Sequence, residues 1–298
     1  MKQFPFKKID AFATATSSGN PAGLVTLRAE TDIAVSDMQR IARELKGFVS
    51  EVGYSWPLPD GSFRLRYFSS EREVEFCGHA TIAILCDLIQ NDSDLLTRPT
   101  LTIRTNSATL EVENRIPGEN AVYITSPAPQ FRTARIDQSS LARALQTNPG
   151  NLSDSLPVSI VNAGLETLIV PMATLDSVLS LSPSQEELKA FCHAQSVDIL
   201  TVFSQETSTP AHRFRTRVFA PTFGYLEDPS TGSGNAALGH YLLKNGHWNG
   251  SPISLEQNGD RSNPNLIRLV AKPSPRGTAS VLFGGGAIVR IQGTYLLP

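Results

Sequence analysis

The chain states much of its plan twice. Residues 64–70 read RLRYFSS and residues 215–221 read RTRVFAP. The first copy is followed by CGHATIAILCDLI and the second by TGSGNAALGHYLL, so that in each a glycine and a polar residue open an apolar segment. The order continues downstream. LTIRTNSATLEVE (101–113) alternates as a hairpin does, and so do ISLEQNGD and LIRLVA within 253–271. VYITSPAP (122–129) and SVLFGGGA (280–287) then fall near the ends of the two stretches. Self-similarity kept in one order over so long a period implies two related halves. The boundary is expected near 127–135, giving residues 1–128 and 129–298. A terminal strand from about 287–298 is expected to cross back and complete the first half.

Local patterns set the fold class. In EVEFCGHATIAILCDLI (73–89), Val74 and Phe76 alternate with Glu73 and Glu75, as in a half-buried strand. From Ala80 to Cys86 there is no polar stripe, which predicts a helix buried all round. SDMQRIAREL predicts a short helix with Ser36 as cap and Met38, Ile41, Ala42 and Leu45 on one face. PSQEELKAF predicts another, with acidic residues in its first turn. Glu51 follows in the strand-like FVSEVGYSW. Most of the remainder is short alternating strands. The class is α+β: mainly antiparallel or mixed strands around one buried helix per half.

Composition excludes several functions. With 40% hydrophobic and 18% charged residues the chain reads as soluble and globular. A net charge of -2 with dispersed basic residues argues against nucleic acid as a partner. No window approaches the ~18 apolar residues of a membrane span, and MKQFPFKKIDAF lacks a signal-peptide core. Three cysteines, Cys77, Cys86 and Cys192, make no disulfide framework and suggest a reducing, cytoplasmic compartment. FGGGA (283–287) lacks the spacing of a nucleotide loop, and close packing of a strand explains it better. Cys192 beside His193 and the scattered His212, His240 and His247 have no metal-ligand spacing. No metal and no cofactor are expected, and His240, inside the second apolar helix, is expected in the core.

Chemistry is expected at the two helix mouths. First-turn N–H groups are unpaired and carry partial positive charge. Gly78 and Gly232 would let a ligand approach the backbone closely. If the halves pack face to face, both mouths could address one small carboxylate-bearing molecule.

A small-residue turn opening a buried helix in each of two tandem halves resembles the diaminopimelate epimerase-like fold. More closely, SGNPAGLV (18–25), MQRIARELKGFVSEVGY (38–54), YFSSEREVEFCGHAT (67–81) and RVFAPTFGYLEDPSTGSGNA (217–236) resemble the PhzF-like, phenazine-biosynthesis isomerase family. The resemblance implies two pseudo-symmetric domains, each a curved sheet wrapped around a central helix, and a homodimer. It implies a cofactor-independent isomerase that moves a proton between carbons of a small unsaturated carboxylic acid. Glu51, in the SE pair, is then the general acid/base, since a carboxyl in a partly desolvated cleft can take and return a proton near neutrality. His79 and Asp228 would line the cleft and assist it. His79 sits at a positive helix end, which disfavours its charged form. Asp228 is equally readable as a cap on the following turn. Gly78, Gly232 and Ser233 would supply donors to a carboxylate. Asn20, in GNP, is either a ligand contact or a turn former.

Two other readings stay open. An epimerase or racemase of this fold would use two thiols, one from each half. Cys77 occupies the first position, but Thr231 stands at the second, and its hydroxyl is far too weak an acid. The chain could also keep the cleft as a small-carboxylate-binding homodimer without turnover.

Overall fold

The computed structural model describes residues 2–273 and 279–298. The chain divides into two compact units, one of Met1–Ile124 with Gly284–Pro298 and one of Thr125–Phe283. No helix among the described residues is long and apolar enough to cross a membrane.

In the first unit Lys2–Ala11 pairs antiparallel with Asn20–Thr26 on one side and with Ala287–Leu297 on the other. Asn20–Thr26 then runs parallel to Glu51–Pro57, which is antiparallel to Phe63–Ser69. Phe63–Ser69 runs parallel to Thr100–Arg104, and the hairpin to Thr109–Asn114 follows. Each parallel step needs a crossover, and helices supply them: Val35–Glu44 before Glu51–Pro57, and Gly78–Gln90 before Thr100–Arg104.

The second unit repeats this order of pairings. Ser159–Asn162 is antiparallel to Glu166–Pro171, which is parallel to Ile199–Ser204. Ile199–Ser204 is antiparallel to Phe214–Phe219, which is parallel to Ile253–Gln257, and the hairpin to Asn265–Lys272 closes the set. The crossovers contain Gln185–Gln195, with Glu186 and Glu187 in its first turn, and Gly232–Lys244. The fold class expected from the sequence is therefore present in both units, each a mixed sheet with its central helix starting at Gly78 or Gly232.

Alternation along Glu51–Pro57 shows how the first unit is layered. Val52, Tyr54 and Trp56 lie in one core cluster with Met38, Ile41 and Ala42 of the short helix, and the Tyr54 hydroxyl donates to the Met38 carbonyl at 2.9 Å. Gly53 points the other way. A Cβ there would come within 2.4 Å of Ile84 Cδ1 on the central helix. Because side chains alternate strictly, Glu51 shares the face of Gly53 and is turned toward the central helix. A one-residue slip would put it in the apolar layer.

The short helix differs at its start from the expectation. It spans Val35–Glu44 and is preceded by Ala34, so Ser36 lies in its first turn and is not the cap. Ile33 and Met38, both in the core cluster, flank this start as a hydrophobic staple does, and apolar packing sets the first turn in place of a side-chain cap.

The repeated arginine has the same work in both units. Arg66 donates from Nε and Nη2 to Glu73 at 2.7 and 2.8 Å, and its guanidinium lies over the Phe68 ring. Arg217 donates likewise to Glu227 at 2.9 and 2.7 Å and lies over Phe219. Such two-pronged pairs hold geometry well. Each fastens the short strand that leads to a helix mouth, Glu73–Val74 or Glu227–Asp228, to the strand bearing the arginine.

Candidate active site

The residue that opens each mouth adopts the same extended backbone, φ -137° and ψ 108° at Cys77, φ -125° and ψ 105° at Thr231. A second shared device holds each mouth to its helix. Thr81 Oγ1 donates to the Cys77 carbonyl at 2.7 Å and Asn235 Nδ2 to the Thr231 carbonyl at 2.8 Å.

At the first mouth the structure brings Glu51, Cys77 and His79 together. Glu51 Oε2 lies 3.1 Å from His79 Nε2 and 3.7 Å from Cys77 Sγ. Cys77 Sγ is also 3.4 Å from His79 Nδ1. Cys77 and His79 are buried, while Glu51 keeps 17% of its side-chain surface exposed. Both contacts fall on Oε2.

The electrostatics correct one expectation. The helix end was expected to keep His79 neutral. Burial does work against the imidazolium, but Cys77 and the Glu51 carboxylate against the ring outweigh it, and the pKa is raised well above the ordinary histidine value. Two acidic side chains against the ring, Cys77 first and Glu51 after it, prevail over burial and over the fractional charge of a helix terminus. Burial also pushes the Cys77 thiol up, only partly opposed by His79.

Asn20 opens a strand and is fully buried, with Oδ1 accepting from Ser50 Oγ at 3.0 Å. It thereby ties the residue before Glu51 to the neighbouring strand. Gly78 is the first residue of its helix.

The second mouth is arranged differently. Asp228 is half-buried, and the residue that directly precedes the helix is Thr231. The Thr231 hydroxyl donates to Asp228 Oδ2. Gln257 binds the turn from below: its Oε1 accepts from the Thr231 N–H at 3.0 Å and from Asn235 at 2.6 Å, and its Nε2 donates to the Asp228 carbonyl at 2.8 Å. Ser233 is half-buried in the first turn. Gly232 answers to packing before any ligand, because a Cβ there would come within 2.3 Å of the Phe283 ring. The glycines of FGGGA pack closely as well: Cβ atoms on Gly284 and Gly286 would meet the Val122 and Asn120 carbonyls at 2.5 and 2.7 Å. His240 is in the core, 3.0 Å from Ser126 Oγ.

The sequence reading passed over several of these residues. Gln257 left no local signal. Arg66 and Arg217 did, as the repeated arginine.

The phenazine biosynthesis-like (PhzC-PhzF) family model matches residues 9–293. The chain belongs to that family. Among curated proteins it is similar to trans-2,3-dihydro-3-hydroxyanthranilate isomerase of Pseudomonas fluorescens, at 27% identity over 97% of this chain and 98% of the relative. It is also similar to the uncharacterized isomerase YfhB of Bacillus subtilis, at 28% identity over 86% and 87%. A PhzF-family phenazine biosynthesis protein of Bacillus anthracis shares the fold, with a TM-score of 0.88 and 24% identity over the whole of both chains. A hydroxyproline epimerase of Agrobacterium vitis shares it more distantly, with a TM-score of 0.57 and 12% identity over 98% of this chain and 92% of that one. The chain is accordingly an isomerase of the PhzF family.

Proposed function

We propose that this PhzF-family protein moves a proton between two carbons of a small, cyclic, unsaturated carboxylic acid, without a cofactor, with Glu51 as the carrier. The 3.1 Å contact between Glu51 Oε2 and His79 Nε2 supports this reading above all others. The Glu51 carboxylate takes a proton from an acidified C–H, the bonding pair spreads into the adjacent unsaturation, and the same carboxyl returns the proton at a second carbon. His79, donating to Oε2, holds the carboxylate in one orientation through both steps, and the half-buried setting strengthens that bond. First-turn N–H groups at Gly78 and Gly232, with the Ser233 hydroxyl, are proposed as donors to the substrate carboxylate, Asp228 and Asn20 as further substrate contacts, and a homodimer as the working form.

The two-thiol alternative lacks its second acid, because Thr231 stands at the second mouth with its hydroxyl committed to Asp228. The substrate of the Pseudomonas relatives, trans-2,3-dihydro-3-hydroxyanthranilate, is the first compound to try. In deuterium oxide the wild type should isomerise it or a close cyclic analogue and place solvent deuterium on carbon. Glu51→Gln should bind but not exchange. Exchange at the wild-type rate in Glu51→Gln would remove Glu51 from the mechanism.

A further inference from the structure

Gln257 ends the strand Ile253–Gln257, is fully buried, and directs its whole hydrogen-bonding capacity at the second helix mouth. Its Oε1 accepts from the Thr231 N–H at 3.0 Å and from Asn235 Nδ2 at 2.6 Å. Its Nε2 donates to the Asp228 carbonyl at 2.8 Å and to the Thr231 hydroxyl oxygen at 3.1 Å. We propose that Gln257 is a positioning residue for the isomerase: through the Thr231 hydroxyl it holds the Asp228 carboxylate in the orientation that meets the substrate. The role rests on the proposed function, in which Asp228 is a substrate contact.

The direction of the protons follows from the partners. Two donors face Oε1 and a carbonyl faces Nε2, so the amide has one workable orientation. Both Nε2 hydrogens are then engaged, one of them on Thr231 Oγ1. The single Thr231 hydroxyl hydrogen goes to Asp228 Oδ2. Asp228 is thus gripped at two points, its carbonyl by Gln257 directly and its carboxylate by a hydroxyl that Gln257 has oriented. A buried network satisfied in this way fixes one geometry.

The backbone of the turn has other anchors. Arg217 grips Glu227, Asn265 Nδ2 donates to the Pro229 carbonyl at 2.8 Å, and Asn235 Nδ2 donates to the Thr231 carbonyl at 2.8 Å. The first mouth shows what holding a helix start requires. There Thr81 binds the Cys77 carbonyl and is itself 2.6 Å from the Tyr67 hydroxyl. In the place of Gln257 stands Thr105, two residues past Ile103, which pairs with Phe63 as Leu255 pairs with Phe214. Thr105 closes its own turn by donating to the Ala108 carbonyl at 3.2 Å. In the place of Asp228 stands Val74, paired with Tyr67 as Asp228 is with Val218. Amide and acid therefore occur together at one mouth and are replaced together at the other. The reach of Gln257 serves the acid, which differs between the mouths, and not the helix start, which both share.

Substrate-free crystals of the wild type, Thr231→Val and Gln257→Glu give the first readout. Thr231→Val removes the hydroxyl and keeps the shape. Gln257→Glu keeps the acceptor for the Thr231 N–H and Asn235 but draws the Thr231 hydroxyl to a new carboxylate. The wild type should show one Asp228 conformer, and both variants a different or divided one over an unchanged turn. An Asp228 side chain unmoved in both would overturn the role. Kinetics with trans-2,3-dihydro-3-hydroxyanthranilate give the second readout. Thr231→Val should raise KM about tenfold with kcat within about twofold. Thr231→Ser, which restores the hydroxyl, should recover most of that loss. A lowered Tm with unchanged KM in Thr231→Val would mark a merely structural residue and also overturn the role. If either Thr231→Val or Gln257→Glu fails to fold, the other decides. A wild type without turnover would sink the isomerase reading and leave the crystallographic comparison standing, whereas an unmoved Asp228 would leave the isomerase reading standing.

Discussion

His79 Nε2 stands 3.1 Å from Glu51 Oε2, so a strand residue and a helix-mouth residue share one hydrogen-bonded charge pair. Cys77 and this pair together act on the titration of the ring. Burial alone would lower the His79 pKa, while Cys77 and the Glu51 carboxylate raise it well above the ordinary value. In an NMR titration His79 should stay protonated beyond the usual histidine range, and Glu51→Gln should bring its pKa down. With a raised folded-state pKa, its contribution to stability is complete below about pH 6.5 and is lost as pH rises through the folded-state value. A pKa unmoved by Glu51→Gln would show that the carboxylate is not what protonates the ring.

Substitutions at the same cluster separate carboxylate from thiol chemistry. Glu51→Gln should lower kcat about 10²- to 10⁴-fold with little change in KM. Cys77→Ser should retain most activity, because its counterpart at the second mouth is Thr231 and no pair of thiols exists to be broken. The opposite pattern in steady-state kinetics would favour the thiol.

The twin arginines should not be equally costly to replace. Arg217 Nη1 also donates to the Val178 and Leu181 carbonyls at 3.2 and 2.6 Å, beyond its pair with Glu227. Among the described residues, Arg66 Nη1 reaches only the exposed Glu30, at 3.4 Å. Lysine cannot reproduce the fork. Arg217→Lys should cost about 2–3 kcal/mol and Arg66→Lys about 1 kcal/mol, read from urea denaturation. Equal costs would mean that the Val178, Leu179 and Leu181 carbonyls find other donors.

His240 predicts an acid-side loss of stability. Burial lowers its pKa to about 4, so its neutral form is the one the fold accepts. The unfolded chain takes up this proton first as pH falls below about 6.5. Stability should therefore decline between about pH 6.5 and 4, by on the order of 2 kcal/mol from this group. His240→Gln should flatten that part of the curve of Tm against pH. A variant with the wild-type slope would assign the loss to other groups.

What the sequence determined by itself was local and repeated. The alternation of 101–113 and 253–271, the apolar runs after Gly78 and Gly232, and the paired arginine motif all report on near neighbours, where period and composition select strand, turn or buried helix. Because the motif appears twice, two similar units with a helix mouth in each were legible before any coordinates. The family blocks singled out Glu51 and His79 in the same way.

Tertiary structure decided what distant segments do to one another. Glu51 meets Cys77 and His79 because Glu51–Pro57 pairs parallel with Asn20–Thr26, and its alternation turns Glu51 and Gly53 to the face where Ile84 packs. A terminal strand crossing back was expected from the sequence, but its partner, Lys2–Ala11, was not, because the pairing of Ala287–Leu297 is made by backbone hydrogen bonds. Ser36 lost the cap to Ala34 because the packing of Ile33 and Met38 set the first turn. The charge on His79 was likewise misjudged from the helix end alone. A pKa depends on what stands within a few ångströms, and beside Cys77 the ring meets Glu51, which belongs to a distant strand.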